Sequence, residues 1–188
     1  IISDLNDLTE ADVVIDCSTS LDLIKIKEKC ELIGASLIVA STGKGDFMKI
    51  FNNKSLSIPV LAAPNLSIGI AFLSNLLNYV SEKNLSLKRI NIEETHHNKK
   101  IDTPSGTALM IKKELIELFN ADEIEIISNR DESSVGTHKI NIYLEEEILS
   151  LEHKALDRKA FALGALNLIE WIHRKSPGIY SVQDALNK

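Results

Sequence analysis

Short apolar runs alternate with helical periodicity through the first half of the chain. Val13-Val14-Ile15, after Asp12, is a continuous apolar run of the kind a buried parallel strand shows. From Leu21 to Ile33 apolar positions recur at helical spacing, with Lys25, Lys27, Glu28 and Lys29 on the other face. Leu37 to Ala40 reads as the next strand, Thr42-Gly43 as its turn, and Asp46 to Phe51 as a short helix. Ile58 to Ala62 reads as a third strand and Ser67 to Val80 as an apolar helix. Strand and helix in strict succession imply right-handed crossovers and a parallel sheet.

The pattern changes after that. Arg89 to Thr95 alternates apolar and polar residues, as a half-exposed strand does. Ser105 to Phe119 reads as a helix, Lys139 to Leu144 and Ile148 to His153 as strands, and Arg158 to His173 as a helix with Ala, Leu and Trp on one face. Pro177-Gly178 reads as a turn before the tail. The predicted fold is α/β: a partial Rossmann-like parallel-sheet domain, then an α+β domain whose mixed or antiparallel sheet uses consecutive strands. The boundary is expected near Ser81 to Leu87, giving domains 1–81 and 82–188, with the last helix able to pack back on the first.

Composition narrows the function classes. The chain has 188 residues, 44% hydrophobic and 26% charged, enough apolar material for a core. A net charge of -6 provides no basic footprint for nucleic acid, while a local anion site remains compatible with it. Two cysteines, Cys17 and Cys30, make no disulfide framework and fit a reducing, cytoplasmic compartment. No apolar run approaches the roughly 20 residues of a membrane span, so no membrane partner is expected. The first residue is Ile, which suggests a fragment of a longer chain.

The chemistry concentrates in Glu93-Glu94-Thr95-His96-His97-Asn98-Lys99-Lys100-Ile101-Asp102-Thr103-Pro104-Ser105-Gly106-Thr107-Ala108, which leaves a strand and enters a helix. Pro104 is favourable just before a first helical turn, and Gly106 lets the backbone approach a ligand closely. Amides at a helix N-terminus lack intrahelical acceptors and favour an anion such as a carboxylate. With His96, His97, Lys99 and Lys100 upstream, the segment can form a cationic, proton-donating pocket. Taken singly, each part has a plainer reading. A His pair on a loop is often just solvated, Lys99-Lys100 is often a surface run, and Ser-Gly-Thr is usually a helix cap. A metal site is not expected, because adjacent His residues rarely point the same way and no Cys or third His is near in sequence.

Together the string H-H-x-x-K-x-D-x-P-S-G-T-A closely resembles the signature of the 4-hydroxy-tetrahydrodipicolinate reductase family. Ala40-Ser41-Thr42-Gly43 resembles that family's G-T-T-G turn and Ala63-Pro64-Asn65-Leu66-Ser67 its A-x-N-F-S loop. Ser133 to His138, Glu152 to Ala155 through Gly164-Ala165, and Pro177 to Leu186 are similar to its C-terminal pattern. The resemblance implies an NADH- or NADPH-dependent enzyme of lysine (diaminopimelate) biosynthesis, a homotetramer whose substrate is a small cyclic dicarboxylate. It implies that His96 is a catalytic proton donor or acceptor and Lys100 the general acid. It implies that His97, Ser105, Gly106 and Thr107 bind substrate. Ala40, Ser41, Thr42, Ala63, Pro64, Asn65 and Leu66 would hold the nicotinamide end of the cofactor.

The family's Gly-rich pyrophosphate loop does not occur in these residues, and Gly43 and Gly45 have the wrong spacing to replace it. An N-terminally truncated dinucleotide-binding domain is therefore expected. Two rivals remain. One is a catalytically impaired fragment acting as an oligomeric or binding module, which measurable turnover would exclude. The other is a different amino-acid dehydrogenase of the same split architecture, which would lean on a catalytic Cys or another Lys/Asp pair.

Overall fold

A computed structural model describes residues 1–18, 22–41, 51, 56–83 and 85–186. The expected turn at Thr42-Gly43 and nearly all of the Asp46–Phe51 helix lie outside the described residues. By contacts, the chain forms two compact units, 1–66 with 162–188, and 67–161.

The first unit carries a parallel sheet in the order β1-β2-β3-β8, from β1 (Val13–Asp16), β2 (Ser36–Val39), β3 (Pro59–Ala62) and β8 (Gly178–Ser181). All four residues of β2 are buried, as the apolar run predicts for a strand covered on both faces. Between β1 and β2 runs α1 (Leu23–Ile33). Asp22 caps its start, its side chain accepting the amide of Ile24. Gly34 ends it at φ 73, a left-handed conformation that a side chain would strain. Leu23, Ile26 and Cys30 of α1 pack with Leu37, Val39 and Val60. The Cys30 thiol is buried there, which pushes its pKa up to about 12 and keeps it protonated.

The second unit is a mixed sheet in the order β5-β4-β6-β7, covered on one face by two helices. Its strands are β4 (Arg89–His97), β5 (Glu125–Asp131), β6 (Gly136–Tyr143) and β7 (Ile148–Ala155). The helices are α2 (Ile68–Ser81) and α3 (Gly106–Phe119). Ile70, Leu73 and Leu77 of α2 and Ala108, Ile111 and Leu115 of α3 close over Ile90, Ile92, Ile140 and Ile142. The remaining helices are α4 (Lys159–His173) and α5 (Val182–Leu186).

Three expectations are corrected. The units divide at Leu66/Ser67 rather than near 81–87, because the apolar stripe of α2 belongs to the core of the second unit. The second sheet, mixed and built from the consecutive strands β4 to β7 as expected, includes one strand that the hydrophobic pattern does not predict, β5. After β4 the chain crosses over through α3 and returns parallel as β5 on the far side of β4, while β6 pairs antiparallel with β4. Pro177-Gly178 does not simply turn into a tail: Gly178 begins β8, which extends the first sheet beside β3. Among the described residues, no helix is long and apolar enough to cross a membrane.

Candidate active site

Alternation along each strand carries the apolar face of the second sheet into a polar end. On β4 the inward positions run Ile90, Ile92, Glu94, His96; on β6 they run Ile142, Ile140, His138, Gly136. The register makes rows across the sheet. Ile126, Ile92, Ile140 and Leu151 form an apolar row, and the next row is Ser128, Glu94, His138 and His153. One step further, Arg130 lies beside His96. The helix-covered face thus turns from isoleucine to ionisable groups within two strand residues.

Both covering helices start over this end. Ser105 is the N-cap of α3: its Oγ accepts the amide of Ala108 at 3.2 Å and meets Nε2 of His138 at 3.1 Å. Ser67 is the N-cap of α2, accepts the amide of Ile70 at 3.3 Å, and meets Nε2 of His153 at 3.1 Å. Each capping serine is therefore tied to a histidine of the same cross-strand row.

Glu94 is wholly buried, at 0% exposure, and His96 nearly so at 7%. The Oε1 of Glu94 accepts Nη1 of Arg130 at 3.2 Å and the amide of Ser105 at 3.3 Å, while Oε2 pairs with Nδ1 of His96. Burial alone would raise the pKa of Glu94, but the Ser128 hydroxyl, the Arg130 guanidinium and His96 together hold it below the ordinary carboxylate value. Burial pulls the pKa of His96 down, and Lys100 and Arg130 add to that against the pull of Glu94. The ring of His138 lies edge-on to that of His96, centroids 5.1 Å apart. Burial, with His96 next, pushes the pKa of His138 down to about 4, so it is neutral near pH 7.

Lys100 and the helix start are joined by Asp102. Its Oδ1 is 2.8 Å from Nζ of Lys100, and its Oδ2 accepts the amide of Gly106 at 3.3 Å. The Lys100 pairing is the main reason that the Asp102 carboxyl is held low. No atom stands within 4 Å of where a Cβ at Gly106 would be, so the backbone there is open to a ligand. His97 follows His96 on β4 with the opposite facing, and Thr107 is half-buried in the first turn of α3.

Of the residues expected to bind substrate or transfer protons, the structure gathers His96, Lys100, Ser105, Gly106 and Thr107 around the N-terminus of α3. Ser105 is buried at 1% exposure, with its hydroxyl engaged in the fold. Glu94, Arg130, His138 and Gly136 do not stand out in the sequence as site residues. The period-two runs I-x-I-x-E-x-H on β4 and G-x-H-x-I-x-I on β6 carry the signal for three of them. The third histidine absent from the sequence neighbourhood is His138. Glu94, His96 and His138 bring ligand-type atoms within 4.8 Å of one another. Oε2 of Glu94 is paired with Nδ1 of His96, and Nε2 of His138 meets the Ser105 hydroxyl.

The expected cofactor residues belong to the first unit. Ala40 and Ser41 follow β2, and Ala63 to Leu66 follow β3, at the carboxyl ends of neighbouring parallel strands where open α/β sheets seat ligands. Thr42 lies outside the described residues. The side chains at 40, 41 and 63 are no larger than serine, which fits a flat ring lying against backbone. Asp16, at the end of β1, joins two of these ends: its Oδ2 accepts Ser41 Oγ at 2.7 Å and its Oδ1 accepts the amide of Ser18 at 2.9 Å.

A family model described as dihydrodipicolinate reductase, C-terminus, matches residues 69–186. The 4-hydroxy-tetrahydrodipicolinate reductase of Bdellovibrio bacteriovorus is 34% identical over 179 residues, spanning 93% of this chain and 76% of the relative. That of Thermosipho africanus is 34% identical over 192 residues, spanning 100% of this chain and 86% of the relative. Among solved structures, a dipicolinate-bound dihydrodipicolinate reductase from Paenisporosarcina sp. TG-14 shares the fold, with a TM-score of 0.77 at 20% identity, over 92% of this chain and 73% of that one. An amine dehydrogenase from Mycobacterium smegmatis shares it more loosely, with a TM-score of 0.58 at 9% identity over 92% of this chain and 75% of that one.

Proposed function

Because the chain belongs to the dihydrodipicolinate reductase family, we propose that residues 96–107 are the proton-handling and carboxylate-binding side of its reductase site. The chain is an NAD(P)H-dependent oxidoreductase of lysine biosynthesis. Its substrate is a cyclic dicarboxylate imine derived from 4-hydroxy-tetrahydrodipicolinate, and its product is tetrahydrodipicolinate. Ala40, Ser41 and Ala63 to Leu66 would hold the nicotinamide end of NAD(P)H, which would supply the hydride when bound. Lys100 delivers the proton that completes reduction of the ring. His96 assists or orients that transfer, and Gly106 and Thr107 hold the substrate. Ser105 builds the seat from within as the cap of α3. A homotetramer in the cytoplasm is the form expected from the family resemblance.

The observation that carries this reading is the position of Asp102. Its carboxylate already bridges the Lys100 ammonium and the Gly106 amide, at 2.8 and 3.3 Å. The seat therefore accommodates a carboxylate between a cation and a helix N-terminus. Asp102 has 54% of its side chain exposed, so a substrate carboxylate can exchange for it without opening the core. Titration with 2,6-pyridinedicarboxylate, followed by amide NMR, tests the seat. The expected result is saturable shifts largest at Asp102, Gly106 and Thr107. A folded sample whose 102–107 amides do not respond at saturation overturns the assignment.

A further inference from the structure

Glu94 is the buried carboxylate of the polar row, and its partners lie on three different elements. Oε2 meets Nδ1 of His96 on the same strand. Oε1 takes the amide of Ser105 at the start of α3, and also Nη1 of Arg130 from β5. The other nitrogen of Arg130, Nη2, donates to the carbonyl of Asp102 at 2.9 Å and to Thr103 Oγ1. These two residues lie between Lys100 and Ser105. One buried carboxylate thus touches the imidazole, the helix end and, through Arg130, the loop that carries Lys100.

A buried ion pair is weak evidence of stability, because well-packed apolar groups often replace one without loss. What this pair adds is direction. An imidazole can rotate and can carry its proton on either nitrogen. A carboxylate at Nδ1 selects the Nδ1–H tautomer, leaving Nε2 as the basic nitrogen. Nε2 lies against Gly136, where a Cβ would stand 3.0 Å away. The glycine therefore leaves that nitrogen uncovered by a side chain. We infer that Glu94, clamped by Arg130, is the positioning residue that fixes the tautomer and orientation of His96, and that Arg130 sets the Lys100 loop in register with it. This rests on the reading of His96 and Lys100 as catalytic.

The charged and titratable groups facing His96 are Glu94 on its own strand, Lys100 on the following loop, Arg130 on β5 and His138 on β6. Glu94 favours the imidazolium, and Lys100 and Arg130 oppose it. The two clamp residues therefore have opposite signatures. In the protein expressed from its complete reading frame, Glu94→Gln should move the His96-dependent limb of the pH–rate profile to lower pH. It should lower kcat by roughly 10- to 100-fold, less than the roughly 10²- to 10⁴-fold for losing positioned proton transfer itself, with a small change in KM. Arg130→Gln should move the same limb to higher pH and raise KM, as the Lys100 loop loosens. Glu94→Asp, which keeps the carboxylate, should return the limb toward its original position.

Imidazole ¹⁵N signals supply a readout independent of turnover. His96 should be the Nδ1–H tautomer in the parent and shift to a mixed or Nε2–H form in Glu94→Gln. If the tautomer is unchanged, or if both substitutions move the limb in the same direction, the inference is overturned. Should Glu94→Gln fail to fold, Arg130→Gln carries the test alone: a limb that stays in place or moves to lower pH refutes the inference. His96→Gln tests the reading beneath it. Retained turnover there removes the catalytic role of His96, while the tautomer measurement still decides whether Glu94 orients the ring.

Discussion

Acid should unfold this protein partly through one histidine. His138 is 4% exposed, inside the polar row between Glu94 and His153. Burial lowers its pKa from the ordinary 6.5 to about 4. The folded state therefore prefers the neutral ring, while the unfolded chain takes up a proton near pH 6.5. Stability from this site is full above pH 6.5 and is lost as pH falls from there toward 4. At about 1.36 kcal/mol per pH unit, the loss amounts to roughly 3 kcal/mol. That is a large share of a typical total of about 5–15 kcal/mol. His96 and His153 are depressed in the same direction, while Glu94 and Asp102 lose stability at lower pH, because their carboxyls are held low. A difference measurement separates His138 from them. His138→Gln keeps a polar group facing Ser105 but cannot titrate. Urea unfolding followed by circular dichroism, from pH 7.5 to 4.5, should show the parent losing about 2–3 kcal/mol more than the variant. A gap between the two that stays constant within about 0.5 kcal/mol across that range would refute the buried, neutral assignment.

Two substitutions test the geometry on either side of the site. Gly136→Ala places a methyl group 3.0 Å from Nε2 of His96. It should lower kcat by about tenfold or more through displacement of the ring, with the thermal midpoint changed by a few degrees; an unchanged kcat in steady-state assay argues against His96 working at that position. Asp102→Asn removes the carboxylate that competes for the seat. Its pairing with Lys100 is partly exposed and worth at most about 1 kcal/mol, so 2,6-pyridinedicarboxylate should bind up to about fivefold more tightly by calorimetry. Weaker binding would mean that Asp102 supports the seat instead of occupying it.

The part of the site that is contiguous along the chain is legible in the amino-acid sequence alone. His96, Lys100, Ser105, Gly106 and Thr107 fall within twelve residues, and a strand leading into a helix brings them together with no long-range pairing. Glu94, His138 and Arg130 are hidden for a physical reason. Their meeting depends on the register between β4, β5 and β6, and on the position of β5 outside β4. A one-residue slip would send each of these side chains to the other face. Strand β5 escapes a reading of the pattern for the same cause: its inward positions run Ile126, Ser128, Arg130, so its apolar alternation stops where the site begins. β8 escapes it because a four-residue strand after Pro177-Gly178 reads locally as a turn, and only pairing with β3 defines it. The apolar helix at 68–81 is legible as an element. The core it joins is not, because either neighbouring sheet could accept its apolar face.

The central claim is that Lys100 delivers the proton in a family reductase reaction. The direct measurement is the steady-state rate of NADPH oxidation by Lys100→Ala, in the protein expressed from its complete reading frame, beside the parent. The account predicts a kcat lower by roughly 10²- to 10⁴-fold, with NADPH binding unchanged by fluorescence titration. A kcat within about threefold of the parent would contradict it.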